Sequence, residues 1–173
     1  MAIKEILPGA TLGVLGGGQL GRMFCVAART MGYRVVVLDP DPQCGAGLIA
    51  DVHIRAGYTD QAALDEMAKQ CDVITLEFEN IPSQSVRYIA EKTAVFPDAQ
   101  SLEIAQNRDM EKQFASKAGL QPVPYYAIQS ENDLQQAAVD VGFPAILKSN
   151  TLGYDGKGQF TVFDLDELRQ AFI

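Results

Sequence analysis

The sequence is poor in the residues that most often carry chemistry. It holds one histidine, His53, and three cysteines, Cys25, Cys44 and Cys71, with no CxxC pair. One histidine builds neither a triad nor a zinc centre, and three scattered cysteines are neither a disulfide framework nor a metal site. A catalytic thiol would need His53 as its partner, yet His53 reads as an ordinary strand or loop residue. Cysteine usage of this kind fits a reducing compartment, the cytoplasm. No apolar run approaches the ~20 residues of a membrane span. The stretch from Met1 to Pro8 lacks the apolar core of a signal peptide. Fourteen basic residues face twenty-two acidic ones, for a net charge of −8. The basic residues are scattered, so no patch is offered to nucleic acid.

What is present describes a folded globular chain. Hydrophobic residues make up 47% and charged residues 21% of 173 positions, and the mean hydropathy is near zero. Strand and helix signals alternate from Thr11 onward. Thr11 to Leu15 is a short apolar run that ends in glycines, and Gln19 to Met31 has apolar residues at helical spacing. Arg34 to Leu38 carries three consecutive valines, as a buried parallel strand does. Further strands are expected at Ala50 to Ile54, Val73 to Leu76 and Ala94 to Phe96. Helices are expected at Gln61 to Gln70, capped by Thr59 or Asp60, and at Ser83 to Lys92. This rhythm predicts a doubly wound parallel sheet.

After about Asp98 the rhythm changes, so the domains are expected at 1–98 and 99–173. Helices are predicted over Gln100 to Gln106 and Arg108 to Ala118, then a strand over Tyr125 to Ile128. Ser130 and Asp133 form a capping box that opens a helix to Val141. Two strands, Pro144 to Lys148 and Gln159 to Val162, flank a polar glycine-containing loop, and a helix follows from Leu165 to Phe172.

Two glycine loops draw attention. Gly16-Gly17-Gly18-Gln19-Leu20-Gly21 satisfies GxGxxG between a strand and a helix, and Asp39 ends the next strand where a dinucleotide fold keeps its ribose-binding acid. The physics asks only for a tight turn with backbone N–H groups facing an anion. An NAD site and another phosphate site both satisfy it, and the loop does not say which anion it takes. The second loop, Thr151 to Gln159, lies between two strands and is not a Walker A loop. Three glycines and Lys157 suit a flap over a polyphosphate. Lys148 ends an apolar strand, from which its charge can be aimed at a phosphate.

Taken together, LGGGQLGRM (Leu15 to Met23), TLEFENIP (Thr75 to Pro82), NRDMEKQF (Asn107 to Phe114), AILK (Ala145 to Lys148) and GYDGKGQ (Gly153 to Gln159) resemble the ATP-grasp superfamily. Within it they are similar to the carboxyaminoimidazole ribonucleotide synthetases. The resemblance runs from about Thr11 to Ile173. It implies a Rossmann-like pre-ATP-grasp domain, in an α/β chain, followed by the truncated start of an α+β ATP-grasp domain. It implies ATP-dependent carboxylation of aminoimidazole ribonucleotide with bicarbonate, in a cytoplasmic homodimer.

By the same resemblance Gly18, Gln19, Leu20 and Glu77 approach the ribonucleotide. Arg108, Lys148 and the flap Gly153, Tyr154, Asp155, Gly156, Lys157, Gly158 and Gln159 serve ATP. Tyr154 and Asp155 face the reacting imidazole side. Mg²⁺ is implied to bridge the ATP phosphates, with its acidic ligands expected beyond Ile173, so this chain by itself is expected to be inactive. Alternatives are the formate-using glycinamide ribonucleotide transformylases of the same superfamily, and an NAD-binding oxidoreductase domain supported by GxGxxG and Asp39. Gln19 and the Tyr154-Asp155 pair favour the carboxylating branch over the formate-using one.

Overall fold

The computed structural model describes residues 5–153 and 158–172. The chain divides into two compact units, Met1–Glu103 and Ile104–Ile173.

The first unit is a five-stranded, all-parallel sheet. Its strands are β1 (Thr11–Leu15), β2 (Arg34–Leu38), β3 (Val52–Ile54), β4 (Val73–Leu76) and β5 (Ala94–Phe96). They lie in the order β3-β2-β1-β4-β5. The valine run of β2 is buried on both faces because successive side chains point to opposite sides. Val35 and Val37 meet Cys25 and Ala28 of helix α1 (Gln19–Thr30), with Val14 of β1. Val36 and Leu38 join the opposite layer, where helices α2 (Gln61–Gln70) and α3 (Ser83–Ala90) contribute Leu64, Met67, Val86 and Ile89. Ala99 and Leu102 of α4 (Ala99–Gln106) extend that layer.

Local chemistry sets the boundaries. Asp60 is the N-cap of α2, its carboxylate accepting from Ala63 N. Helix α3 ends at Ala90, two residues before the expected Lys92. There the amides of Lys92 and Thr93 both turn back to the Ile89 carbonyl. The Lys92 ammonium instead pairs with Asp65 and lies over the Tyr88 ring. Strand β3 is shorter than the predicted Ala50 to Ile54, because Ala50 N closes a turn on Ala46 O.

The second unit opens with helix α5 (Arg108–Lys117), capped by the Asn107 side chain, and Gly119 at φ 85° follows its end. The strand expected at Tyr125 to Ile128 does not form. That stretch has no regular secondary structure and pairs with neither strand of the unit's sheet, and without a ladder partner a segment is not a strand. The capping box is present. Ser130 and Asp133 exchange hydrogen bonds around a single 3-10 turn (Glu131–Asp133) that leads into α6 (Leu134–Val141). Strands β6 (Ala145–Lys148) and β7 (Gln159–Val162) pair antiparallel, with Lys148 opposite Gln159. Leu134, Val162 and Leu168 of α7 (Leu165–Phe172) form the core, packed by Ala145 and Leu147.

Candidate functional site

The first candidate site lies at the carboxyl ends of β1 and β4. In an open parallel sheet this is the switch point, where helices leave in opposite directions and a crevice opens. A cleft of about 210 Å³ is lined there by Leu20, Gly21, Phe24, Thr75, Leu76 and Glu77, with Val14 at its base. A larger open hollow sits elsewhere, against Val26, Leu48 and Ala50. Its one cation, Arg29, is already held by Ile49 O at 2.8 Å and Asp51 at 3.1 Å. The smaller cleft is therefore the better candidate.

The glycine loop between β1 and α1 is built by close approach. Gly16 has φ 103°, and a Cβ there would lie 2.9 Å from Glu77 Cβ. At Gly21 a Cβ would lie 2.8 Å from the Gly16 carbonyl, so the helix begins against its own loop. Two loop amides are taken by carboxylates. Gly17 N–H donates to Asp39 Oδ2 at 2.7 Å, and Gly18 N–H to Glu77 Oε2 at 2.5 Å. Gly18 is the N-cap of α1, and the first turn carries no acidic residue. The amides of Gln19, Leu20 and Gly21 are left by helix geometry without intrahelical acceptors. Gln19 and Leu20 are exposed. Any anion approaching this helix end meets those amides first, with Glu77 as its neighbour.

A second loop seals the far side. Ala46 N–H donates to Gly17 O at 2.8 Å, and Arg22 Nη1 to Gly45 O at 3.0 Å. Cys44 is buried in this loop, with Sγ 3.6 Å from His53 Nε2, which in turn is 3.1 Å from the Asp39 carbonyl. Burial raises the thiols of all three cysteines, Cys25 to about 11 and Cys71 to about 12. None of them is poised as a nucleophile.

The second candidate site is the root of the β6–β7 hairpin. Arg108 reaches it from the first turn of α5: its Nε donates to Ser149 O and its Nη2 to Gly153 O, each at 3.0 Å. Its own amide donates to Asn150 O at 3.0 Å, and Asp109 N–H to Asn150 Oδ1 at 3.1 Å. Ser149 N–H closes the hairpin on Gly158 O at 2.8 Å, and Gly158 takes φ 67°. Lys148 and Ile146 alternate with the core-facing Ala145 and Leu147, so Lys148 is exposed on the outer face of β6. Gln159, opposite it, is also exposed. Tyr154, Asp155, Gly156 and Lys157 lie outside the described residues.

Sequence reasoning had no means to find Tyr58, whose hydroxyl donates to Asp39 Oδ2 at 2.7 Å. Nor did it find Asn150, which joins α5 to the hairpin across 41 positions. Neither lies in a motif, and only the fold brings each to its partner. Among the described residues no group of three or more His, Cys, Asp or Glu side chains could hold a metal ion.

The chain matches two domain families, the ribonucleotide synthetase pre-ATP-grasp domain over residues 9–106 and the ATP-grasp domain over residues 113–173. It is 40% identical over 171 residues to the N5-carboxyaminoimidazole ribonucleotide synthase of Bacillus subtilis, covering 99% of this chain and 45% of that one. It is 43% identical over 165 residues to the bifunctional purine synthesis protein purC/E of Dictyostelium discoideum, covering 95% of this chain and 16% of that protein. Its fold superposes on N5-carboxyaminoimidazole synthetase from Staphylococcus aureus complexed with ADP, with TM-score 0.92 and 40% identity, over 96% of this chain and 45% of that chain. The Aspergillus clavatus synthase in complex with ADP and 5-aminoimidazole ribonucleotide gives TM-score 0.79 and 30% identity, over 94% and 43% of the two chains. The chain thus spans less than half the length of each of these relatives.

Proposed function

Since the chain belongs to the ribonucleotide synthetase pre-ATP-grasp family and continues into an ATP-grasp domain, we propose that it forms the ribonucleotide-binding domain and the first part of the ATP-binding domain of a carboxyaminoimidazole ribonucleotide synthase. The observation that carries this reading is the turn between β1 and α1. A carboxylate from the end of β4 sits on its Gly18 amide, beside a cleft at the sheet's switch point. A ribonucleotide meets that arrangement with both of its polar ends. Its phosphate suits the open amides at Gln19 and Leu20, and a helix N-terminus favours an anion by about 0.3–1 kcal/mol. Its ribose hydroxyls are donors for Glu77.

In this reading the hairpin root serves ATP. Arg108 orders the shoulders of the loop, Lys148 supplies a fixed positive charge, and the glycines let backbone N–H groups approach the phosphates. The reaction is ATP-dependent carboxylation of an amine. Bicarbonate takes the γ-phosphoryl group of ATP, releasing ADP and giving carboxyphosphate. The substrate amine then attacks the carboxyphosphate carbonyl carbon, or the carbon dioxide it releases, so that inorganic phosphate leaves, the nitrogen loses a proton and the amine becomes a carbamate. The residues described here bind and orient, which is where much of the rate in such a transfer originates. Tyr154 and Asp155 are assigned to the imidazole side in the same proposal. Mg²⁺ on the phosphates, a homodimer and a cytoplasmic setting belong to the same proposal. No helix among the described residues is long and apolar enough to cross a membrane.

Parallel calorimetric titrations with 5-aminoimidazole ribonucleotide, glycinamide ribonucleotide, ADP and NAD test the reading. Binding of the aminoimidazole ribonucleotide and ADP is expected. Preference for glycinamide ribonucleotide would move the chain to the formate-using branch, and saturable NAD binding would overturn the reading.

A further inference from the structure

The acid that a glycine-rich strand-to-helix turn lends to a dinucleotide's ribose is here turned inward. Asp39 follows β2 and is 8% exposed. Its Oδ2 accepts the Gly17 N–H and the Tyr58 O–H, each at 2.7 Å, and its Oδ1 accepts the Asp41 N–H at 2.8 Å. A buried carboxylate with three donors is committed to the protein. In a dinucleotide-binding turn the equivalent acid faces the ribose hydroxyls instead.

Tyr58 gives this arrangement its reach. It comes from the connection between β3 and α2, and its ring meets Phe78 edge-on with centroids 5.9 Å apart. Phe78 is the residue after Glu77. Tyr58 therefore ties the end of β2, through Asp39, to the segment leaving β4, and these two strands flank β1. Gly16 and Gly17 are held between them. A Cβ on Gly16 would lie 3.0 Å from Phe78 Cδ1, and one on Gly17 would lie 2.9 Å from Asp39 Cβ. Burial, and after it the bond to Asp39, pushes the Tyr58 phenol well above its usual range. It stays protonated at neutral pH and remains a donor.

We propose that Asp39 and Tyr58 are a positioning pair. They set the Gly16–Gly18 backbone so that Gly18 and Glu77 face a ribonucleotide, and they withhold from the turn the free carboxylate that a dinucleotide would require. The inference rests on the ribonucleotide reading given above. The pair touches neither substrate nor reacting atoms and acts through the loop.

Amide NMR titrations of the chain test it, with 5-aminoimidazole ribonucleotide, ADP and NAD added separately to the wild type, Tyr58→Phe, Asp39→Asn and Asp39→Ala. Tyr58→Phe keeps the ring and removes one hydroxyl, so the chain should stay folded with a melting temperature lowered by a few degrees. It should shift the Gly17 and Gly18 amide resonances and weaken the ribonucleotide about tenfold, the worth of roughly one hydrogen bond to a charged group. ADP should change by less than about twofold, since Tyr58 belongs to the other folding unit. Asp39→Asn, whose one amide oxygen can still accept from Gly17 N–H and Tyr58 O–H although its NH2 then faces the Asp41 N–H, should retain more ribonucleotide affinity than Asp39→Ala. NAD should give no saturable shift.

Unmoved Gly17 and Gly18 resonances in Tyr58→Phe would overturn the pair. So would equal losses for ribonucleotide and ADP, or wild-type binding of NAD. A wild type that binds ADP but not the ribonucleotide would overturn the functional reading itself. The loop-setting role would then stand or fall on the two glycine resonances.

Discussion

Glu77 Oε2 accepts the Gly18 N–H at 2.5 Å, which seats a carboxylate at the N-cap of α1. The acid holds the place where an approaching anion would feel the helix most strongly, and it repels that anion. A bound ribonucleotide must therefore gain from Glu77 through its hydroxyls more than its phosphate loses. Glu77→Gln should weaken 5-aminoimidazole ribonucleotide about tenfold or more, because hydrogen bonds to a charged acceptor are the stronger ones. The same variant should bind inorganic phosphate slightly better than the wild type. Calorimetry with the two ligands reads both signs, and a parallel loss of both would remove Glu77 from the ribose side.

Gly17 should tolerate no side chain. A Cβ there would meet Cys44 Sγ and lie 2.9 Å from Asp39 Cβ, and both neighbours are buried. Gly17→Ala is expected to cost about 1–3 kcal/mol, the range for overpacking a filled site. Denaturant unfolding of the first unit measures it, and a neutral result would mean that the Cys44 loop yields.

Arg108 and Lys148 should separate in an enzyme that carries the complete ATP-grasp domain. Arg108→Lys loses the fork that reaches Ser149 O and Gly153 O together, and a lysine cannot replace it. It should loosen the hairpin root and raise the KM for ATP about tenfold. Lys148→Ala removes an exposed charge from β6, so the melting temperature should hold while ATP use falls. Steady-state kinetics with ATP varied, beside a thermal melt, checks both. An unchanged ATP response in Lys148→Ala would end its assignment.

The parallel sheet was legible because its strands are continuous apolar runs and its helices carry local stop and start signals. Val35 to Val37 announce burial on both faces, and Asp60 caps α2 with its own side chain. Tyr125 to Ile128 has the composition of a strand, but pairing depends on a partner that local composition does not specify. Of the candidate sites, the motifs marked the loops and not their supports. Asp39 was visible only as a possible ribose acid. Its inward turn depends on Tyr58, nineteen residues on, and on a Gly17 backbone that a side chain would obstruct.

Acid should loosen the second unit at its capping box. Asp133 is held below the usual carboxylate range by the backbone amides of Gln129 and Ser130, then by the Ser130 hydroxyl. A carboxylate depressed in the folded state contributes stability that is full above its unfolded pKa, about 3.9, and lost as pH falls through its lower folded value. Asp133→Asn should abolish that part of the acid dependence. Breaking the box with Asp133→Ala should lower the melting temperature at neutral pH. Circular dichroism melts between acid and neutral pH follow the loss, and identical pH profiles for wild type and Asp133→Asn would refute it.

The thiols offer a simple check on the core. Cys25 and Cys71 are buried and raised to about 11 and about 12, and Cys44 is buried and raised as well. At pH 8 a disulfide reagent should react slowly with the native chain and label all three rapidly after denaturation. Fast native labelling of Cys44 would mean that the loop behind Gly17 opens.

His53 gives the molecule a reporter of its own. Its Nε2 lies 3.1 Å from the Asp39 carbonyl, and a carbonyl only accepts, so the proton of the neutral ring resides on Nε2. It is the sole imidazole in the sequence. Its two ring nitrogens therefore give a single, unambiguous pair of signals in a nitrogen-15 spectrum, reporting on the carbonyl of the residue that grips the glycine turn. Beyond uniform nitrogen-15 enrichment, no tag or engineered probe is needed to watch that turn while a ligand is added.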